Sequence, residues 1–182
     1  YNIDWLIKTI NTGTQLNYVT FWHEGEEYPN HYFSQWYQGK PFSVNGRTYI
    51  TAEQYMMSEK ALLFKGLYHY GLIMEEPSPK KCKDLGRLVA GFDSSTWDNA
   101  LWEIIFHGNL GKFQSDIALV DALLDTENAV LVEAGPYDGI YEAGLAESDL
   151  LNPDGTLKVM PEDWKNPKNG IQATNHLGFV LM

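Results

Sequence analysis

At 182 residues the chain is long enough for one domain with a sizeable core, and 44% hydrophobic with 14% aromatic residues excludes a disordered chain. A net charge of −11 argues against sequence-independent duplex binding, which rests on cations neutralising phosphates, but leaves room for a nucleotide in a local basic pocket. Cys82 is the only cysteine, which excludes an internal disulfide framework and a thiolate metal cluster and fits a reducing compartment.

Residues 1–10 pattern as a short helix with Ile3, Leu6, Ile7 and Ile10 on one side, broken at Thr12-Gly13-Thr14. Residues 18–22 are β-branched and aromatic and read as a strand, followed by a polar loop over 23–30. Aromatic, extended chain resumes at 31–37, and residues 41–49 form a hairpin around the Asn45-Gly46 turn. Thr51 is the N-cap of the next helix, with Gln54 three residues on where a capping box wants Glu or Gln. With no Gly or Pro before Gly66, about 14 helical residues follow. Ala52, Tyr55, Met56, Leu62 and Leu63 are its expected core residues.

A further helical piece covers 67–76. Ser78 caps a helix that has Pro79 in its first turn and runs to about Val89, carrying Lys80, Lys81, Lys83 and Arg87, the densest positive charge in the chain. Ser94 or Ser95 caps a helix to about His107, with Trp97, Leu101, Ile104 and Ile105 as its apolar stripe and a break or turn at 109–113. Ser115 or Asp116 caps a helix over 117–124, and 129–134 reads as a buried strand. A glycine-rich loop over 135–144 and a polar, proline-containing insertion over 146–170, a candidate lid, precede an apolar close at 175–182. Few strands among several helices predict a single α+β domain over 1–182, mainly helical with a small hairpin or sheet, residues 1–20 being an N-terminal extension. No run of 18 apolar residues and no signal-peptide pattern occurs, so a soluble, cytoplasmic protein without membrane contact is expected; the start at Tyr1 fits a removed leader or tag.

The chemistry is narrowed by what is missing. The five histidines, at 23, 31, 69, 107 and 176, have no metal-ligand spacing, and there is no Walker loop, GxGxxG or GxSxG elbow, so neither metal nor cofactor is called for. Carboxylates near aromatics remain: Glu53, Glu133 and Asp138. Glu53 and Lys60 are seven residues apart, a net rotation of only about −20° on a helix, and so share a face about 10 Å apart with Met57 between them. Most such pairs are solvated surface, and Asp before Gly in a loop is ordinary turn chemistry.

Several segments, taken in order, change those odds: FSQWY, PFSVNGRTYITAEQY, SEKA, SPKKCKDLGR, Trp97, GKF, LVEAGPYDGIYEAG and NHLGFVLM. Together they resemble the NADAR superfamily, which includes the YbiA-like proteins, from about residue 21 to the end. The resemblance implies an α+β, mainly helical fold and hydrolysis of N-glycosidic bonds. The substrates it implies are ADP-ribose on the guanine base of nucleic acid, or the ribosylamino-pyrimidine phosphates of riboflavin synthesis. An ADP-ribosyltransferase toxin is the implied system partner. Carried over by position, the family acid falls on Glu53, its lysine on Lys60 and its loop aspartate on Asp138. Ser34, Gln35, Trp36 and Tyr37 match the SNFY segment, Arg87 and Trp97 the LGR region, Tyr141 the WGxG tryptophan, and Asn175, Leu177 and Gly178 the closing motif. Lys112 and Phe113 match its KF pair. Departures are Gln35 for Asn, Trp36 for Phe, Gln54 for His, Tyr141 for Trp and Glu142 for Gly.

On this reading Glu53 is the general acid/base and Lys60 a Schiff-base nucleophile that must be neutral, as burial beside Met57 and aromatics favours. Asp138 orients sugar hydroxyls or assists proton transfer. Trp36, Tyr37, Tyr55, Trp97 and Tyr141 stack on a base or wall the ribose, and Arg87, with Lys83, meets phosphates. A non-catalytic ADP-ribose or nucleotide reader using the same pocket is the third hypothesis.

Overall fold

The computed structural model describes residues 1–182. In chain order the elements are α1 (Ile3–Asn11), β1 (Tyr18–Phe21), β2 (Phe42–Val44), β3 (Arg47–Tyr49), α2 (Ala52–Leu63), α3 (Leu67–Glu75), α4 (Pro79–Arg87), α5 (Ser94–Gln114), α6 (Ile117–Leu124), β4 (Val130–Glu133), α7 (Glu147–Leu150) and α8 (His176–Leu181). Short 3₁₀ turns occupy His31–Phe33 and Pro161–Asp163. The expected α+β, mainly helical class is met. No helix is long and apolar enough to cross a membrane.

The chain forms two compact units, one of Tyr1–Ser34 with Leu123–Met182 and one of Gln35–Ala122. In the second, α2 packs against α3, α4 and α5. The β2–β3 hairpin pairs Phe42 with Tyr49, and its turn residues Asn45 and Gly46 both have positive φ, as a two-residue hairpin requires. Phe42, Tyr49, Ala52 and Tyr55 form a core cluster with Val44, Met74 and Ile104.

Three local expectations are corrected by the structure. α5 does not stop near His107 but continues to Gln114, and its N-cap is Asp93. Gly108 and Gly111 suggest a break, yet each lies against another element. A Cβ on Gly108 would stand 2.5 Å from the Tyr55 ring, and one on Gly111 2.8 Å from Val44. Close helix packing is gained where helix propensity is given up. Leu63 is exposed and Leu62 half-buried, because α2 ends there in a Schellman cap with Lys65 left-handed. Its bonds run from Gly66 N–H to Ala61 O and from Lys65 N–H to Leu62 O. The stretch at 31–37 is also less extended than its aromatics suggest, since His31–Phe33 makes a 3₁₀ turn.

In the first unit β1 and β4 pair in parallel, Tyr18 opposite Val130 through Phe21 opposite Glu133, and α8 packs on β4. Gly178 permits that contact: a Cβ there would lie 2.1 Å from the Leu131 carbonyl oxygen. The 146–170 insertion carries its own anchor. Trp164 is fully buried, and its indole N–H donates to Val159 O at 3.1 Å.

Candidate active site

The site on the second unit is built by the start of α2. Thr51 accepts from Gln54 N–H at 3.1 Å, as the capping pattern predicts. Gln54 then works as a clamp. Its Oε1 accepts from Ile50 N–H at 2.8 Å, and its amide donates to the carbonyls of Ile73, Met74 and Glu76, tying α2 to the end of α3. The backbone N–H of Glu53, one of the donors a helix start leaves over, is taken by Gln35 O at 3.0 Å.

Glu53 is therefore fixed in the first turn, where the helix dipole favours a carboxylate, and is only 2% exposed. The Trp36 indole N–H donates to its Oε2 at 3.3 Å. The face of the same indole has the Lys83 ammonium 5.8 Å from its centroid. Met57, between the two reactive candidates in sequence, is buried.

Two turns further on, Lys60 is half-buried, its Nζ 4.5 Å from the Phe92 ring centroid and 5.5 Å from Trp97. Burial lowers its pKa below the ordinary lysine value; Glu53 works against that shift and Arg87 with it. Both candidate groups thus feel one another's field, and the amine is biased toward the neutral, nucleophilic form.

Phe92 and Trp97 are held by the cap of α5. Asp93 Oδ2 accepts from both the backbone N–H and the hydroxyl of Thr96, each at 2.7 Å, and the hydroxyl bond followed by the N–H bond keeps its carboxyl below the usual range. This places Phe92 just before the N-cap and Trp97 four residues after it, the positions of a hydrophobic staple.

The other expected residues divide clearly. Gln35 is buried and accepts from the Asn109 amide at 3.4 Å, so its side chain serves the packing beneath α2. Ser34 is buried as well. Tyr55 lies in the core cluster, edge-on to Tyr49 at 5.1 Å, with its phenol pushed up to about 12 by burial. Tyr37 lies 5.5 Å from the ammonium of Lys112, a lysine only 3% exposed that also approaches Phe113. Arg87 is exposed and bonds to Asp84 at 3.0 Å. Cys82 is fully buried, its thiol pushed up to about 12 by burial first and by Glu53 and Glu76 after it.

On the first unit, Asp138 Oδ1 accepts from the N–H groups of Ile140 at 2.7 Å and Tyr141 at 3.3 Å, and Oδ2 lies 3.9 Å from Lys168. Glu142 Oε2 accepts from Tyr137 and Asp138 N–H. Asn175, left-handed and buried, donates to Leu131 O at 2.9 Å and accepts from Glu133 N–H at 3.0 Å. Leu177 is fully buried and Gly178 is the close-contact residue of α8.

Sequence reasoning missed Phe92 and the burial of Lys112. The signal for Phe92 was present: an aromatic before Asp-Ser-Ser-Thr-Trp is a staple pattern. For Lys112 no local signal existed, since a lysine near the end of a helix is ordinarily solvated.

Fold and site together define a mainly helical α+β protein that sets an acid and an amine among aromatic rings on one helix. The chain belongs to the NADAR family: the NADAR domain matches residues 20–182. It is 37% identical over 160 residues to N-glycosidase R617 of Acanthamoeba polyphaga mimivirus, covering 84% of each chain. It is 26% identical over 118 residues to N-glycosidase Npun_R5314 of Nostoc punctiforme, covering 65% of this chain and 76% of that one. Identity to protein irg-1 of Caenorhabditis elegans is 31% over 135 residues, 73% of this chain and 58% of that one. The NMR structure of the E. coli protein YbiA shares the fold, with a TM-score of 0.66 at 22% identity over 93% of this chain and 83% of that one.

Proposed function

We propose that this protein is a hydrolase of N-glycosidic bonds, and that its substrate is ADP-ribose joined to the guanine base of nucleic acid. The observation that carries the reaction type is the placement of Lys60, its amine flanked by Phe92 and Trp97 and its pKa lowered by burial, two turns from the buried Glu53. The names of the mimivirus and Nostoc relatives support the same reaction type. The order of motifs supports the substrate class.

In the reaction, the Lys60 lone pair forms a bond to the anomeric carbon while the bond from that carbon to the base nitrogen breaks. Glu53 gives its proton to the departing nitrogen. The lysine-bound sugar passes a proton from Nζ to the Glu53 carboxylate. Its ring carbon–oxygen bond then opens, the ring oxygen takes the proton back from Glu53, and a protonated imine forms. Water adds to the imine carbon, the carbon–Nζ bond breaks, and the free sugar and the amine are restored. Trp36 holds the Glu53 carboxyl group in place, and Lys83, with Arg87, meets phosphate.

A second reading, hydrolysis of a small ribosylamino-pyrimidine phosphate, is favoured by one observation. The net charge is −11, and two α4 cations are already matched, Lys81 by Glu76 at 3.8 Å and Arg87 by Asp84. Incubation with a guanine-ADP-ribosylated oligonucleotide separates the two. Release of free ADP-ribose supports the first, and its absence alongside turnover of the pyrimidine phosphate establishes the second. Borohydride trapping of a sugar on Lys60 tests the imine, and full turnover by Lys60→Ala would exclude it.

A further inference from the structure

The cap of α5 leaves its two staple rings in unequal states. Trp97 is buried, whereas Phe92 is 48% exposed although its ring also packs against Phe64 at 5.4 Å. Phe92 therefore covers the Lys60 amine on one side and offers open aromatic surface on another. Gly91, with φ +73, turns the chain into this position, and the two Asp93–Thr96 bonds hold the turn against α5.

A carbon attacked by Lys60 must come within bonding distance of Nζ. The purine to be released hangs from that carbon through a single nitrogen, so its ring system lies within several ångströms of Nζ. Phe92, centred 4.5 Å from Nζ and 48% exposed, is in that range, and exposed aromatic surface is what a base stacks on. We propose that Phe92 is a substrate-binding residue of this site: it covers the Lys60 amine and stacks on the purine that the reaction releases. The proposal rests on the N-glycosidase reading and names the base subsite within it.

Two physical effects of the ring oppose each other at the amine. Its π face favours the charged ammonium, while its apolar bulk shuts out water and favours the neutral amine. Replacing the ring by alanine removes both, and replacing it by leucine removes the π face but keeps the cover. Since burial is the larger influence on Lys60, the two variants move the amine apart.

The test measures binding of GMP and of ribose 5-phosphate by calorimetry. It also measures the titration of Lys60 by pH-dependent acylation read by mass spectrometry, a readout that needs no turnover. Phe92→Ala is expected to weaken GMP about tenfold or more, the usual effect of losing one stacked base, and to leave ribose 5-phosphate unchanged. In the same variant Lys60 titrates higher than in the native protein. Phe92→Leu loses GMP affinity equally but keeps the low titration, and Phe92→Trp retains both properties. Native-like GMP binding by Phe92→Leu, an unmoved Lys60 in Phe92→Ala, or no GMP binding by the native protein at millimolar concentration would overturn the proposal. Failure of the native protein to release ADP-ribose from the oligonucleotide instead counts against the substrate reading, and leaves the base subsite to be decided by GMP and Lys60.

Discussion

On α2, charge is set against aromatic rings; in the 135–144 loop, charge is set against the loop's own backbone. Glu53 is held by an indole N–H, and the Lys60 ammonium lies within 5.5 Å of the centroids of two rings. Asp138 and Glu142 each accept from two backbone N–H groups of their own loop, and Asn175 links β4 to the start of α8. A carboxylate that accepts from its own backbone shapes the loop that carries it. A charge kept among apolar rings costs stability, and such perturbed groups cluster at functional sites. The difference separates residues expected to change rate from residues expected to change stability.

The largest expected effect is on rate. Glu53→Gln, which preserves shape and removes the titrating group, is expected to lower kcat by about 10²- to 10⁴-fold. The melting transition should stay close to native. A large loss of stability in place of activity would break the contrast. Next comes Asn175→Ala, which strips a buried N–H and a buried carbonyl of β4 of their partners. A loss on the order of 3 kcal/mol in urea unfolding is expected, with residual turnover by whatever remains folded.

Asp138→Asn sharpens the comparison, because the amide oxygen can still accept from Ile140 and Tyr141. A loss of about tenfold or less fits a loop-shaping role. A loss equal to that of Glu53→Gln would put Asp138 in the proton transfer.

The smallest effect on stability, and the most specific, is expected at Lys60. Its folded pKa is lowered, so between that value and the ordinary one the unfolded chain binds more protons and stability rises with pH. Below that window the cost of holding a buried charge is present in full. Lys60→Met is therefore expected to be slightly more stable than the native protein at neutral pH, with the gain closing above the ordinary lysine range. In the active protein, the limb of kcat/KM that needs the neutral amine should rise with pH and reach its plateau below that range. A limb at the ordinary value would show the amine to be water-exposed in the free enzyme.

Sequence alone determined much of this. Thr51 with Gln54, Asn45-Gly46, Ser78-Pro79 and the seven-residue spacing of Glu53 and Lys60 are local signals, and local backbone chemistry follows them wherever they occur. The order of motifs identified the family before any packing was known. What only the tertiary structure decided is how neighbours spend each polar group. Gln35 reads like a ligand-binding residue and packs inward against Asn109, Tyr55 joins the core, Gly108 and Gly111 let α5 run on, and Phe92 comes to lie over Lys60. Each depends on contacts between residues distant in sequence, and a one-dimensional pattern gives a residue's side of its own helix but not the neighbour that will face it.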